Sequence, residues 1–258
     1  MAARNLIRRS IRQSGALDWV HATVDRVNRL LRSEVYEPPT DLSEFETVQR
    51  RARKTTDISD HLDRLFVEAL QASPDTIVEL GVRDGESTFV FERVARLADA
   101  DVVSVDVDET TYTTDYDRWQ FVQSDDVAFA ADFEEWSADH GVDPAIDVLF
   151  VDTSHRYDHT VAEIEAWFPH LAEDGVVLFH DTNQRHLYRR EDGTVGLSPL
   201  DDRGVIGAIE THFGCALDET ESFVTVADGF VLEQYPLCSG LAVLRKLDTG
   251  GEDSRDAT

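Results

Sequence analysis

A short apolar run followed by two glycines limits the fold of this chain more than any other stretch. The run Ile77–Leu80 is too short for a helix of its own, so it predicts a buried parallel strand. Gly81 and Gly85 lack a Cβ, which lets the backbone turn with φ > 0 and lets a ligand approach the main chain. A helix that begins at Ser87 or Thr88 points its unpaired N–H groups at the same ligand. Strand, turn and helix together predict a doubly wound sheet with a cofactor at this turn.

The spacing within the turn narrows the type of cofactor. Dinucleotide folds use G-x-G-x-x-G, whereas Glu79-x-Gly81-x-x-x-Gly85 has an acid before the first glycine, which would face a cationic or amine-bearing ligand. This pattern resembles the first motif of the class I S-adenosylmethionine-dependent methyltransferases, where the turn holds the amino acid end of the cofactor. The cofactor contacts predicted here are Glu79, Gly81, Gly85 and Ser87. A strand-to-helix turn without a cofactor is the structural alternative.

Two acids further along the chain fit the same cofactor. Asp106 ends the predicted strand Val102–Val105, about twenty residues after the turn, where an acid can accept both hydroxyls of a ribose. One more surface carboxylate in an acid-rich chain is the alternative. Asp125 follows the predicted strand Trp119–Val122, and the methyltransferase resemblance implies a contact with the adenine amine there. Asp125 or Asp126 can equally cap the next helix.

Two more apolar strands each end in polar side chains. The strands are Ile146–Val151 and Gly175–Phe179, and the polar residues after them are Asp152, His155, His180, Asp181 and Asn183. The carboxyl ends of neighbouring parallel strands meet at one edge of a sheet, so these groups should share a crevice. Carboxylate and amide oxygens suit Mg²⁺, Mn²⁺ or Ca²⁺, which predicts Asp152, Asp181 and Asn183 as ligands. His155 lies beyond its strand, where it can take a proton from a substrate hydroxyl, and His180 fits a structural partner of a carboxylate.

The same two stretches carry a closer resemblance. Asp152-x-x-His155-x-Tyr157 and the later run ending in His180-Asp181 resemble metal-dependent O-methyltransferases, which include enzymes acting on antibiotic sugars, and more distantly the catechol-type enzymes. The resemblance implies that the two acids bind the metal, that His155 is the base and that the acceptor is a small or sugar-type molecule. In the catechol group an Asn directly follows the second acid, whereas Thr182 does here. An NAD(P)-dependent oxidoreductase or epimerase and a non-catalytic cofactor-binding protein are the alternative functions.

The whole pattern predicts one α/β domain with two flanking segments. The domain spans residues 55–247, with a mostly parallel, seven-stranded, Rossmann-like sheet and helices on both faces. Residues 1–54 have eleven Lys and Arg against seven acids, a net charge of +4. Helical spacing there predicts an amphipathic helix before Pro38-Pro39, acting as a lid, a docking helix or a homo-oligomer contact, with membrane-surface anchoring as the less favoured alternative. Residues 248–258 are predicted to be a disordered acidic tail.

After Asn183 the sequence predicts a long polar loop with a turn at Asp192-Gly193. Loops of this size at the ligand edge commonly select the substrate. The arginines of this loop are Arg185, Arg189 and Arg190. Together with Tyr188 they can hold an anionic or sugar-like acceptor, or they can pair with nearby acids.

The charge of the chain excludes some partners. With 24 Lys and Arg against 52 Asp and Glu, the net charge is -28, and lysine occurs only at Lys54 and Lys246. An acidic surface of this kind repels nucleic acid. The acidic, lysine-poor composition resembles that of proteins from salt-loving archaea. Cys215 and Cys238 give no disulfide scaffold or metal site. No run approaches about 18 apolar residues and no signal peptide is evident, so a soluble cytoplasmic protein is expected.

Overall fold

A computed structural model describes residues 16–35, 37 and 40–247, with side chains from Trp19 onwards. The strands are β1 (Thr76–Leu80), β2 (Asp101–Asp106), β3 (Trp119–Gln123), β4 (Ile146–Val151), β5 (Leu171–His180), β6 (Leu187–Arg189), β7 (Val195–Leu197), β8 (Phe223–Ala227), β9 (Phe230–Tyr235) and β10 (Leu241–Lys246). The α-helices are α1 (Ala16–Leu31), α2 (Ser43–Ala52), α3 (Leu62–Gln71), α4 (Glu86–Ala98), α5 (Asp126–Ala130), α6 (Phe133–His140), α7 (Tyr157–Trp167) and α8 (Gly204–Phe213), with 3-10 turns at Ser59–His61 and Phe168–His170.

The central sheet has eight strands in the order β3-β2-β1-β4-β5-β10-β9-β8. Strands β1 to β5 run parallel, and β10 pairs antiparallel with both β5 and β9. The doubly wound, mostly parallel, Rossmann-like fold is confirmed, with one strand more than predicted. The additional strand is β9, which joins β8 through a turn at Asp228-Gly229, both with positive φ.

The strand order creates one crevice at the carboxyl edge of the sheet. β1 pairs with β2 on one side and with β4 on the other, so the chain leaves β1 in one direction and later returns to its opposite flank. Ligands bind in open α/β sheets at such a reversal point. The residues that directly follow β1, β4 and β5 are Gly81, Asp152 and Asp181, so all three open onto this edge.

Helices cover both faces of the sheet because the side chains of the buried strands alternate between two apolar cores. One core joins Val78 and Leu80 to Trp167 and Phe133 from the α6 and α7 side. The other joins Ile77 to the face formed by α2, α3 and α4. All five strand and helix residues named here are fully buried. Burial of each large side chain of this kind stabilises the fold by roughly 2 kcal/mol. The sheet is therefore a rigid base for the residues at its carboxyl edge.

Two predicted helices are shorter than expected. Apolar residues at helical spacing predict a helix over 57–72, but this segment starts with the 3-10 turn Ser59–His61 and becomes α-helical only at Leu62. A second helix, which the sequence predicts over 158–171, ends at Trp167, because Pro169 has no N–H with which to continue the helical hydrogen bonds and lies in the 3-10 turn that follows.

The N-terminal helix α1 lies against the short hairpin formed by β6 and β7. Asn28 makes the contact: its Nδ2 donates to the carbonyl of Val195 at 2.9 Å, and its Oδ1 accepts from the amide of Val195 at 2.8 Å. Trp19 and Leu30 on α1 are 70% and 83% exposed. Three parts of the flanking segments lie outside the described residues: the arginines at 4, 8, 9 and 12, Pro38-Pro39, and the predicted tail at 248–258. Within the described ranges, no helix combines the length and apolar character needed to cross a bilayer.

Candidate active site

The glycine turn after β1 packs directly on the chain that leaves β4. Gly81 has φ +89°, and a Cβ there would overlap the carbonyl oxygen of Asp152. Gly85 has φ +75°, and a Cβ there would overlap the ring of Tyr112. Gly85 is also the residue that precedes the first turn of α4. Both glycines are therefore required by backbone conformation and by close contact with other parts of the protein.

Glu79 lies beneath this turn and is fully buried. Its Oε1 accepts a hydrogen bond from Ser87 at 2.5 Å, and its Oε2 accepts from Thr88 at 2.7 Å and Ser104 at 2.6 Å. This placement differs from the predicted contact of Glu79 and Ser87 side chains with a ligand, because hydroxyl donors already occupy the carboxylate. Burial raises the pKa of Glu79 to about 7, although the three hydroxyls oppose that change. Glu79 therefore ties β1 to α4 and β2 and supports the turn from below.

Asp106 fixes the other side of the turn. Its Oδ2 accepts from the amides of Val82 and Arg83 at 2.8 and 3.1 Å. Asp106 also borders a cavity of about 270 Å³ that reaches Asp125 and Asp152. Asp125 accepts from the amide of Ala128 at 2.9 Å, so it caps α5 and borders this cavity at once. The two interpretations of Asp125 are thus compatible.

Three side chains from the ends of β4 and β5 form a compact group. Ligand atoms of Asp152, His155 and Asp181 all lie within 4.8 Å of one another. The Nε2 of His155 is 3.2 Å from Asp181 Oδ2, and its Nδ1 is 3.8 Å from Asp152 Oδ1. Each of these side chains keeps some exposed surface, 13% for the two acids and 19% for His155. We call this set the strand-end cluster; it can bind a cation or move a proton.

His180 lies against the buried side of the strand-end cluster. Its Nδ1 is 3.2 Å from Asp152 Oδ1 and 3.6 Å from Asp181 Oδ2. Burial alone would lower the pKa of His180, but the charges of Asp181 and Asp152 outweigh it and raise the pKa to about 10. Burial raises the pKa of Asp152 as well, yet His180 lowers it to about 2, whereas burial is the main cause of a raised pKa at Asp181. His180 therefore favours the ionised form of Asp152, whereas burial disfavours the ionised form of Asp181.

Asn183, the third predicted ligand, is directed toward the loop after β9. Its Nδ2 donates to the carbonyl of Pro236 at 2.9 Å, and its backbone amide donates to Ser239. Its Oδ1 is buried and has no hydrogen-bond partner among the described residues. His155 is the third side chain that the structure brings to the two acids.

The backbone is strained where the strand-end cluster sits. His155 and Asp181 both have φ +57°, in the left-handed region that non-glycine residues rarely adopt. Each such residue costs on the order of 1–3 kcal/mol and persists only where packing enforces it. The start of α8 provides part of that packing, since a Cβ at Gly204 would overlap the carbonyl oxygen of His155. Strain of this kind concentrates at functional sites.

Comparison with known proteins relates this edge to a known domain family. Residues 78–182, which include the glycine turn and both strand ends, match the family model described as a methyltransferase domain. This part of the chain is therefore similar to methyltransferase domains.

Solved structures agree with this fold at low sequence identity. The MycE methyltransferase of the mycinamycin biosynthetic pathway, solved with Mg, S-adenosylhomocysteine and mycinamycin VI, matches at 16% identity and a TM-score of 0.50, over 82% of this chain and 55% of its own. A MycE structure with Mg and S-adenosylhomocysteine matches at 18% identity and a TM-score of 0.50, over 84% of this chain and 58% of its own. A curated relative, the uncharacterized protein y4gI of Sinorhizobium fredii, is 34% identical over 134 residues, which are 46% of this chain and 14% of that protein. The chain thus spans a small part of that relative and just over half of MycE.

One segment at the carboxyl edge of the sheet is not apparent from the sequence motifs. The segment Lys54–Ile58 lies over the glycine turn and borders a cavity of about 160 Å³ together with Gly81 and Asp152. Lys54 donates to Glu86 at 2.7 Å, and Arg83 pairs with Asp57 at 2.8 Å. The sequence offers one indication of this contact, since Lys54 is one of only two lysines in the chain. The predicted boundary at residue 54 therefore falls within a segment that contacts the site.

Proposed function

We propose that this protein transfers the methyl group of S-adenosylmethionine to an oxygen of a small, hydroxylated or sugar-type acceptor with the help of a divalent cation. The observation that carries the proposal is the contact between the glycine turn and the strand-end cluster. Gly81 touches the backbone of Asp152, and ligand atoms of Asp152, His155 and Asp181 lie within 4.8 Å. A donor bound along the turn therefore has a proton acceptor beside it.

The cofactor has room along the carboxyl edge. We assign its amino acid end to the cavity of about 160 Å³ at Gly81 and Ser87. Its adenosine end would lie in the cavity of about 270 Å³, where Asp106 faces the ribose and Asp125 the adenine. Since the Glu79 carboxylate already accepts three hydroxyl hydrogen bonds, its part is to hold the turn in shape.

His155 is the proposed base. A neutral hydroxyl is a weak nucleophile, so its proton must leave as the oxygen–methyl bond forms and the sulfur–methyl bond breaks. The Nε2 of His155 lies 3.2 Å from Asp181, which can orient the ring and stabilise the charge that it gains. The partial exposure of His155 leaves it accessible to an acceptor.

The residues at this edge fit a divalent cation. Asp152 and Asp181 offer carboxylate oxygens at one rim, and hard cations such as Mg²⁺, Mn²⁺ or Ca²⁺ take oxygen ligands and retain several waters. A bound cation would lower the pKa of an acceptor hydroxyl. The presence of Mg in the two MycE complexes supports the same choice. We propose Asp152 and Asp181 as ligands, with Asn183 as the third only if its side chain turns away from Pro236.

The base assignment is tested with His155→Ala. We expect methyl transfer, measured as S-adenosylhomocysteine release with a panel of hydroxylated acceptors, to fall by about 10²–10⁴-fold, which is the usual contribution of a positioned base. Affinity for S-adenosylhomocysteine in calorimetry should stay within twofold. His140→Ala, an exposed histidine on α6, serves as the matched control. Undiminished turnover in His155→Ala contradicts the assignment.

The cation is tested by its removal. Treatment with excess EDTA followed by gel filtration should abolish turnover, and added Mg²⁺ or Mn²⁺ should restore it. Asp181→Asn should resist restoration because one of the two carboxylates is gone. Full activity in excess chelator rules out a required cation at Asp152 and Asp181.

A further inference from the structure

A cavity lined by several cationic side chains lies between α1 and the β6–β7 hairpin. Its volume is about 530 Å³. Three arginines border it, Arg29, Arg32 and Arg190, whereas Asp25 is the one acid on its lining. The chain as a whole carries 52 acids against 24 Lys and Arg. A positive cavity in so acidic a protein favours an anionic ligand.

Arg190 is the residue that makes this cavity unusual. It is 6% exposed, which makes it the one buried arginine of the described chain. Its Nε donates to the carbonyl of Thr56 at 2.8 Å, and its Nη2 donates to the hydroxyl of Tyr188 at 3.0 Å. Its Nη1 is buried and has no hydrogen-bond partner within the described residues. No carboxylate of those residues lies within ion-pair distance of it, in contrast to Arg32, which pairs with Asp192 at 2.7 Å.

A buried guanidinium without a counter-ion is costly, because the charge has left water without gaining a partner. The nearby acid Asp60 offsets part of this cost, since the charge of Arg190 opposes the rise of its pKa. Asp60 does not form a direct ion pair with Arg190, and its Oδ2 accepts from the amide of Glu191. The planar guanidinium fork matches the two oxygens of a carboxylate or the oxygens of a phosphate, so an oxyanion ligand would complete the site.

The Arg190 site adjoins the methyl-transfer edge. Thr56, whose carbonyl accepts from Arg190, also borders the cavity of about 160 Å³ that contains Gly81 and Asp152. The segment Lys54–Ile58 therefore has one side toward Arg190 and another toward the glycine turn. The cavity at Arg190 and the cavity at the glycine turn are therefore neighbours that share this segment.

We propose that Arg190 binds an oxyanion carried by the methyl acceptor, so that the acceptor is an anionic sugar: a uronic acid bound through its carboxylate or a sugar phosphate bound through its phosphate. This inference rests on the proposed function, since it names the substrate class of the same enzyme. Arg29 on the same lining adds positive charge, and Tyr188 holds the guanidinium of Arg190 in place.

The test compares three sugars on the full chain with S-adenosylhomocysteine bound. Calorimetry with glucuronate, glucose 1-phosphate and glucose should show that at least one anionic sugar binds tenfold or more tightly than glucose. The tighter of the two anionic sugars identifies carboxylate or phosphate as the natural group. Arg190→Gln keeps a hydrogen-bond donor without the charge and should weaken the anionic sugar about tenfold or more while leaving glucose and S-adenosylhomocysteine unchanged.

Arg50→Gln is the control, since it removes an exposed arginine on α2 that borders neither cavity and should bind all three sugars as the parent protein does. If Arg190→Gln fails to fold, competition in the parent protein replaces it, and inorganic phosphate must then displace the anionic sugar. Equal binding of anionic and neutral sugars, or an Arg190→Gln variant identical to the parent, overturns the inference. Turnover confined to neutral acceptors overturns it while the proposed function stands, whereas failure to bind S-adenosylhomocysteine at all refutes the proposed function itself.

Discussion

Gly81 is the residue at which the cofactor turn and the strand-end cluster meet, because only a hydrogen atom separates its Cα from the carbonyl of Asp152. Any side chain there must push the turn away from β4 or push Asp152 away from Asp181. Under the proposed function, both displacements would disturb the methyl donor and the two acids together. We therefore expect this glycine to couple cofactor binding to the geometry of the strand-end cluster.

We expect Gly81→Ala to cost about 3 kcal/mol or more of unfolding free energy, since it adds a backbone overlap to the roughly 1 kcal/mol penalty of a positive φ. Gly141→Ala isolates that penalty, because Gly141 has φ +73° and open space around its Cβ position. Urea unfolding measures both variants, and calorimetry should show weaker S-adenosylhomocysteine binding for Gly81→Ala alone. Equal stability losses in the two variants would mean that the Asp152 contact is unimportant.

Glu79 gives the protein a pH-dependent stability. Its pKa rises from 4.5 to about 7 on burial, so the folded state holds this proton more tightly than the unfolded state does. Stability from this group is then greatest below pH 4.5 and decreases as the pH rises to about 7, by about 3 kcal/mol in total. The buried hydroxyls of Ser87, Thr88 and Ser104 keep the group in place in both forms.

Glu79→Gln removes this titration. We expect the variant to be less stable than the parent at pH 5, because an amide cannot accept from all three hydroxyls, and the difference to shrink by about 3 kcal/mol by pH 8. Urea unfolding at pH 5, 6, 7 and 8 measures it. The exposed control Glu135→Gln should follow the parent at every pH. Parallel curves for Glu79→Gln and the parent contradict the origin assigned here.

At the scale of elements, the sequence predicts strands that are apolar and helices with clear ends. β4 has the predicted bounds, Ile146–Val151. β9 escaped prediction because its Glu233 and Gln234 interrupt the apolar pattern, and pairing with β10 and β8 stabilises it instead. Whether such a segment forms a strand depends on pairing partners that are distant in the sequence.

The candidate site likewise combines features that the sequence predicts with features that it does not. Its strand-end acids follow from sequence, because parallel strands bring their carboxyl ends to one edge. The directions of side chains do not follow. Glu79 turns inward to three hydroxyls and Asn183 turns to Pro236, and both contacts depend on segments far along the chain. The approach of Lys54–Ile58 to the turn likewise depends on tertiary packing.

The docking of α1 on the hairpin is a prediction at this scale. Asn28→Ala removes both hydrogen bonds to Val195, each worth about 1 kcal/mol, so local opening of α1 should become easier. We expect amide hydrogen exchange in residues 16–31 to quicken about tenfold or more with little change in global stability. Arg26→Ala, on the exposed side of α1, is the control. Unchanged exchange in Asn28→Ala shows that other contacts hold the helix.

At the scale of the whole molecule, the net charge of -28 dominates. Many described acids do have cationic partners, such as Glu68 with Arg245 and Glu219 with Arg203, but 52 acids cannot all pair with 24 Lys and Arg. The excess repels itself across the surface, and this repulsion weakens the compact state. Salt reduces the range of the repulsion from about 10 Å at 0.1 M to about 3 Å at 1 M.

We propose that the protein is adapted to high salt, and we expect its unfolding temperature at pH 7 to rise between 0.1 and 2 M KCl. A gain on the order of 2 kcal/mol corresponds to about 5 °C for a chain of this size. Near the sequence pI of about 4.4 the net charge vanishes, so the same salt step should have a much smaller effect there. Thermal unfolding followed by circular dichroism measures both conditions. A fall at pH 7, or an equal rise at both pH values, would mean that salt acts through something other than the surplus of carboxylates, because only their repulsion depends on net charge in this way.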